Sequence, residues 1–251
     1  MTDVGLERHK EDWERLAEVD AMWAVLTAPD QRGGGWDADA FFATGAAEIE
    51  QVLSSVNDLR PLAYGRALDF GCGVGRLTRA LAARFETAVG VDISAGMVET
   101  ARALNGDVDS CEFRVNTSTD LSQFGDGEFD FVYSSLVLQH LPSRELVRGY
   151  VAEFLRVAAP DGLVAFGLPA RISWPYRLAL SRRAYGALRR LGVGEQTMLR
   201  RTRLTPMRMR AVPEADVRVF LDGRRATVLR AELRDAGSVR TVRYYVSPGR
   251  G

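Results

Sequence analysis

Residues 67–77 read Ala67-Leu-Asp-Phe-Gly-Cys-Gly-Val-Gly-Arg-Leu77, an apolar run that enters three alternating glycines and leaves as an amphipathic segment. A strand ending in such a turn lets a ligand approach the backbone with no Cβ in the way. It also sets backbone N–H groups and a helix N-terminus beside that ligand. The spacing decides between ligands. A dinucleotide fingerprint, G-x-G-x-x-G/A, would put its third small residue at position 76, where Arg76 is neither small nor able to let the helix pack closely on the strand. The pattern is instead G-x-G-x-G.

Outward from this loop, strand and helix alternate. The reading is strand 66–70 and helix 76–85, strand 88–93 and helix 95–104, strand 111–116, strand 129–135 and helix 143–158, then strand 162–168. Val147, Tyr150, Val151, Phe154, Leu155 and Ala158 recur at helical spacing and form one apolar stripe. Alternation of this kind predicts a parallel, doubly wound α/β sheet that takes ligands at the carboxyl ends of its strands. Two further strands, 226–233 and 239–246, are separated only by Arg234 to Ser238, a turn too short to join anything but antiparallel neighbours.

With Asp69 ahead of the glycines and Asp92 closing the next strand, the loop resembles the S-adenosylmethionine site of class I methyltransferases. Later landmarks agree. Leu136-Val-Leu-Gln-His-Leu-Pro142 follows strand four as in small-molecule methyltransferases, and Pro160-Asp-Gly162 resembles the family's turn before strand five. The resemblance implies a Rossmann-like sheet of seven strands with an antiparallel C-terminal hairpin, its last strand inserted between the fifth and sixth. It also implies S-adenosylmethionine as cofactor. Asp92 would accept the ribose hydroxyls, with Ile93 and Met97 beside it, and Asn116, Thr117 and Ser118 would meet the adenine edge. Asp69, Gly71, Cys72, Gly73 and Gly75 would form the cradle. Arg76 would pair with the methionine carboxylate and the Ser134 carbonyl with its ammonium.

The chain divides into an N-terminal helical cap over 1–55, the cofactor core over 56–170, an insertion over 171–210, and C-terminal strands over 211–251 that complete the sheet. The cap carries Trp13, Trp23 and Leu26, a Gly33-Gly34-Gly35 break that reads as a hinge, and a second helix from about Asp37. The insertion holds eleven arginines against one acidic residue, Glu195, in a chain of zero formal net charge. A basic, aromatic cap suits an anionic or phosphate-bearing small molecule, or an anionic membrane surface that delivers a lipid-like one. A solvated basic face is the plainer alternative. Trp23, Trp36, Trp174 and Tyr176 are the candidate acceptor-facing aromatics.

Zero net charge gives no global electrostatic case for nucleic acid. The charged N-terminus has no secretory h-region, and no apolar run reaches membrane-spanning length. Two cysteines, Cys72 and Cys111, have neither metal spacing nor the number for a disulfide framework, which points to a reducing cytoplasm.

Methyl transfer from a sulfonium needs an acceptor held in line, and a hydroxyl acceptor benefits from a base. Two histidines exist. His9 lies in a charged terminus, whereas His140 follows strand four at the rim where a methyl must be delivered, so His140 is the candidate base. Because the Leu-Gln-His-Leu-Pro segment recurs in family members of unlike chemistry, a packing role for His140 stays open. Tyr133, Tyr150 or Tyr176 could orient the acceptor instead. No Asp-Pro-Pro-aromatic motif follows strand four, no Pro-Cys nucleophile exists, and no paired carboxylates stand there for a divalent metal. The expectation is metal-free transfer to a small molecule, at oxygen in preference to nitrogen, in specialised-metabolite or sugar-modifying biosynthesis. RNA or protein methylation and non-catalytic cofactor binding are the competing readings.

Overall fold

The computed structural model describes residues 3–194, 197–198 and 204–249. Strands β1 (Arg66–Phe70), β2 (Thr87–Asp92), β3 (Cys111–Val115), β4 (Phe129–Ser134), β5 (Ala158–Ile172), β6 (Thr227–Asp235) and β7 (Val239–Ser247) form one sheet in the order β3-β2-β1-β4-β5-β7-β6. The first five are parallel, and β7 runs antiparallel to both β5 and β6. The expected insertion of the last strand between the fifth and sixth is therefore present.

The helices are α1 (Asp3–Val25), α2 (Ala38–Asn57), α3 (Arg76–Ala82), α4 (Ala95–Leu104), α5 (Arg144–Val157), α6 (Trp174–Arg177), α7 (Leu180–Arg190) and α8 (Glu214–Asp222). Strand side chains alternate between the two faces. Leu68, Phe70, Val89, Val91 and Val132 meet Val147, Val151 and Phe154 of α5 on one face. Ala67, Ala88, Phe131 and Tyr133 meet Ile49, Val52 and Val56 of α2 and Leu77 and Leu81 of α3 on the other. A fully buried side chain such as Phe154 is worth about 3–5 kcal/mol against alanine. On the second face, a Cβ on Gly45 of α2 would lie 2.3 Å from the Arg76 carbonyl oxygen, so only glycine permits that approach of α2 to α3.

Several boundaries differ from the sequence reading. The C-terminal half of α2 packs into the core through Ile49, Val52 and Val56, while Phe41 near its start packs with Leu16 and Trp23 of α1. Helix α1 is kinked at Asp20 (φ −166°, ψ 82°), in addition to the expected break at Gly33 to Gly35 between α1 and α2. Asp20 caps the resumed helix by accepting from Trp23 N–H, and it also accepts from the N–H groups of Gly33 (2.7 Å) and Gly34 (2.9 Å). The glycine segment is thus tied to the kink. Strand β5 is longer than expected and takes in Pro160 to Gly162, because its pairing with β4 begins at Ala158↔Phe129, breaks, and resumes at Leu163↔Phe131. What reads as a turn is a bulge.

The insertion opens as two helices. Ala179, in left-handed conformation (φ 51°), separates α6 from α7. Glu195, Arg200, Arg201 and Arg203 lie outside the described residues.

Candidate active site

The carboxyl ends of β1, β2 and β4 and the inner side of α1 surround a cleft. The β1 side is built by Gly71, Cys72 and Gly73. Positive φ at Gly71 (76°), Gly73 (53°) and Gly75 (87°) lets the chain turn from β1 into α3. A Cβ on Gly71 would lie 2.3 Å from Val137, and one on Gly73 would lie 2.3 Å from Val25 of the cap. The loop N–H groups are largely spent inside the protein, however. Those of Gly71 and Cys72 donate to the Val91 carbonyl, that of Gly73 to Asp92 Oδ2, and that of Gly75 to the Cys72 carbonyl. The glycines offer space more than donors, which corrects the expectation drawn from their spacing.

Asp92 ends β2 at the cleft. Its Oδ2 accepts from Gly73 N–H and its Oδ1 from Ser94 N–H, both at 2.9 Å. Burial pushes this carboxyl above its ordinary value, against these backbone bonds. Each oxygen keeps a lone pair for a hydroxyl donor. Ile93, Met97 and Asn116 line the same cleft.

Other expected residues, Asp69, Gly75, Thr117, Ser118 and Ser134, do not line this cleft. Asp69 is buried on the opposite face of β1, where it accepts from the Thr78 hydroxyl at 2.7 Å, and burial pushes its carboxyl up to about 7. The strand's two-residue period explains this: Phe70 faces the cleft, so Asp69 faces α3. Gly75 is turned toward Asn105 and Phe113. Thr117 and Ser118 are exposed and off the cleft wall. The Ser134 hydroxyl donates to the Phe70 carbonyl, and Ser135 takes the place on the wall.

Arg76 lines the cleft, yet its guanidinium is already engaged, with Nη2 donating to Glu48 Oε2 at 2.8 Å and Nη1 to Thr44 Oγ1. Glu48 is a node that the sequence did not reveal. Its Oε1 accepts from Tyr133, Ser135 and Arg243. Burial alone would raise the Glu48 carboxyl, but Arg76 and these hydrogen bonds hold it below the ordinary value. Arg76 Nε remains buried and without a hydrogen-bond partner among the described residues. That unsatisfied donor, the glycine cradle and the Asp92 lone pairs fit a ligand carrying ribose hydroxyls and a carboxylate.

His140 also lines the cleft, in a short 3-10 turn (Leu138–His140) after β4, and is buried. Its Nδ1 faces the Arg208 carbonyl, so Nδ1 carries the proton, and Nε2 accepts from the Gln139 amide at 3.2 Å. Burial lowers its pKa below 6.5, against that carbonyl bond, and the ring is a neutral imidazole at neutral pH. His9 corrects the sequence reading. It is buried on α1 and lines the same cleft, and burial together with the nearby His140, Arg208 and Arg182 pushes its pKa down to about 3. Trp13 stands edge-on to both rings, with centroids 6.1 Å from His9 and 5.5 Å from His140.

A wider outer cleft continues from Trp13, Leu136 and His140 to Tyr176, Leu180, Arg182 and Arg208. Of the candidate acceptor-facing aromatics, Tyr176 and Trp23 line it. Trp23 is itself anchored by donating to the Ala28 carbonyl, with the Arg32 guanidinium 4.3 Å above its ring. Trp36 lines neither cleft; it donates to the Leu26 carbonyl and packs on Phe41. Trp174 also lines neither and is 65% exposed. Among the tyrosines, Tyr133 belongs to the Glu48 cluster and the Tyr150 hydroxyl is spent on the Ser118 carbonyl. Burial pushes the Cys72 thiol well up, which leaves it a small wall residue rather than a nucleophile.

Residues 68–166, which hold the glycine loop, Asp92 and His140, match the family described as methyltransferase domain. That match covers the segment from β1 into β5, and the sheet order β3-β2-β1-β4-β5-β7-β6 is that of a Rossmann-like methyltransferase fold. A ubiquinone biosynthesis O-methyltransferase of Thiobacillus denitrificans is 33% identical over 147 residues, 58% of this chain and 62% of that protein. A trans-aconitate 2-methyltransferase of Deinococcus radiodurans is 32% identical over 139 residues, 54% of this chain and 50% of that protein. The chain thus spans less than two thirds of the length of these relatives. In structure, the magnesium protoporphyrin IX methyltransferase of Synechocystis, solved with S-adenosylhomocysteine, superposes on this fold with a TM-score of 0.61 at 19% identity, covering 96% of this chain and 98% of that one. The matched segment 68–166 supplies every strand end that reaches the inner cleft, and α1, outside it, lines the cleft through Leu6, His9, Trp13 and Val25.

Proposed function

We propose that this chain binds S-adenosylmethionine in the inner cleft and transfers its methyl group to a small molecule, at oxygen in preference to nitrogen and without a metal. The observation that carries the reading is that the glycine cradle, Asp92 and a neutral imidazole, His140, line one cleft. When bound, the donor supplies a sulfonium-activated methyl carbon and leaves as the neutral thioether, keeping the electrons of the broken carbon–sulfur bond. Asp92 holds the ribose and Arg76 Nε the carboxylate. His140 Nε2 exchanges its Gln139 amide for the acceptor hydroxyl and takes that proton as the oxygen attacks. The Arg208 carbonyl fixes the tautomer that makes Nε2 the acceptor. Leu6, Trp13 and Val25 of α1 exclude water from one side.

The relatives' small-molecule acceptors support the substrate class. Arg182 and Arg208, together with Leu180 and Met207, line the outer cleft and suit an acceptor with an apolar body and an anionic group. We place the reaction in biosynthesis of a specialised metabolite or modified sugar, in the reducing cytoplasm that two free cysteines suit. Incubating the protein with methyl-labelled donor and a metabolite extract of its source tests the reading. One labelled small molecule is expected, and label in RNA or protein alone would overturn it.

A further inference from the structure

We propose that α6 and α7, from Trp174 to Leu191, dock on an anionic lipid surface. Residues 171–194 contain six arginines, at 171, 177, 182, 183, 189 and 190, and no aspartate or glutamate. Interleaved with them are large apolar side chains that the fold leaves in solvent: Trp174 at 65%, Tyr176 at 44%, Leu178 at 46%, Leu180 at 43% and Leu191 at 80% exposure. Exposed apolar residues scattered singly over a surface are ordinary, whereas five within one short segment mark an interaction site. Tyr185 is the buried residue of α7, and with Ser181 and Arg182, which hydrogen-bond to the 205–206 segment, it holds one side of the helix to the body.

The arginines divide between two tasks. Arg182 is turned inward, donating to the Pro206 carbonyl and pairing with Asp12 at 3.5 Å. Arg177 and Arg183 are exposed and make no ion pair among the described residues. A surface of outward arginines around tryptophan, tyrosine and leucine is what an interfacial helix presents to acidic headgroups and the acyl boundary beneath them. Charge complementarity chooses the occupant. A second copy of this segment, with six arginines and no acidic residue, would repel it. RNA would pair with arginines and stack on aromatics, but gives Leu178, Leu180 and Leu191 nothing to bury against.

The surface is also continuous with the site. Pro175, Tyr176 and Leu180 line the outer cleft that ends at Trp13 and His140, so docking sets the mouth of that cleft against the bilayer. Entry of a lipid-like acceptor by this route rests on the proposed methyl transfer; the docking itself does not.

The test reads binding, not turnover. The full chain is floated with vesicles of phosphatidylcholine alone and with vesicles that also contain phosphatidylglycerol. Co-flotation with the anionic vesicles is expected, with a blue shift of tryptophan emission that Trp174→Phe removes. Leu178→Glu with Leu191→Glu, and separately Arg177→Glu with Arg183→Glu, should each lower partitioning at least about tenfold while melting temperature and donor affinity stay unchanged. Equal binding to neutral and anionic vesicles would overturn the proposal. So would wild-type partitioning of the leucine variant, or single-stranded RNA that displaces the protein from vesicles and binds the leucine variant as well as wild type. Donor affinity, measured in parallel by calorimetry, reports on the methyltransferase reading separately.

Discussion

Glu14 of α1 accepts a hydrogen bond from the Ser94 hydroxyl at 2.9 Å, and its two carboxylate oxygens also accept from the N–H groups of Ala95 at 2.7 Å and Gly96 at 3.1 Å. Ser94 is the N-cap of α4 and accepts from Met97 N–H, so one carboxylate joins the cap helix to the N-terminus that flanks Asp92. Glu14→Ala should leave these donors to water at a cost of about 1–2 kcal/mol. Thermal melting should fall by several degrees. Donor affinity should fall with it, because His9 and Trp13 on the same helix line the cleft. An unchanged melting point would show that α1 is held elsewhere.

Asp92 has two tasks, and its removal should show both. Asp92→Ala takes an acceptor from Gly73 N–H and Ser94 N–H and from the donor's ribose hydroxyls. The expected loss is about 1–3 kcal/mol in S-adenosylmethionine affinity by calorimetry, with a lower melting temperature of the free protein. Unchanged affinity would remove the ribose assignment.

Gly73 separates space from fold. Its positive φ strains any side chain, and a Cβ would lie 2.3 Å from Val25 Cγ2. Gly73→Val should abolish donor binding with circular dichroism unchanged. Adding Val25→Ala relieves the clash with the cap but not the obstruction of the cradle, so the double variant should regain melting temperature and not affinity. Recovery of affinity would mean that the loop only supports α1.

The fold was legible because its signals are local. Glycine spacing, the two-residue and helical periods and the short hairpin turn each lie within a few residues, and they carried the parallel α/β class, the antiparallel hairpin and the β1 loop. The place of the last strand between the fifth and sixth came from the resemblance to class I methyltransferases. Glu48 was not legible because its partners Arg76, Tyr133 and Arg243 lie 28, 85 and 195 residues away. His9 was hidden by the charges beside it, although Leu6, His9, Trp13 and Leu16 follow one helical stripe that would have placed it inward. Trp36 and Trp174 share a residue type but not an environment, and only packing assigns one to a helix junction and the other to solvent. Asp69 could have been read correctly, since strand alternation puts it opposite Phe70.

The buried His9 makes stability depend on pH. Its pKa lies near 3 in the fold and at 6.5 in the unfolded chain, so between these values the unfolded state holds the extra proton and stability falls as pH falls. The limiting slope is about 1.4 kcal/mol per pH unit. Asp69 acts in the opposite sense, since its folded pKa near 7 lies above its ordinary 3.8 and favours the fold on acidification. Comparing wild type with His9→Gln cancels that contribution. Melting curves taken from pH 6.5 downward should decline less steeply in the variant, and parallel curves would show that His9 titrates like an exposed residue.

His140 decides the chemistry. As a base for an oxygen acceptor it should impose an acidic limb on kcat below pH 6.5, because burial lowers its pKa even though the Arg208 carbonyl bond opposes this. His140→Ala should then keep donor affinity, lower kcat roughly 10²–10⁴-fold, and lose that limb. If the ring only fills the space between Trp13 and the Arg208 segment, the variant should instead melt earlier and raise the acceptor KM with little change in kcat. Rate against pH for both proteins separates these outcomes, and turnover within about tenfold of wild type would take His140 out of the mechanism. An amine acceptor belongs with the second outcome, since solvent can deprotonate it before it enters the cleft.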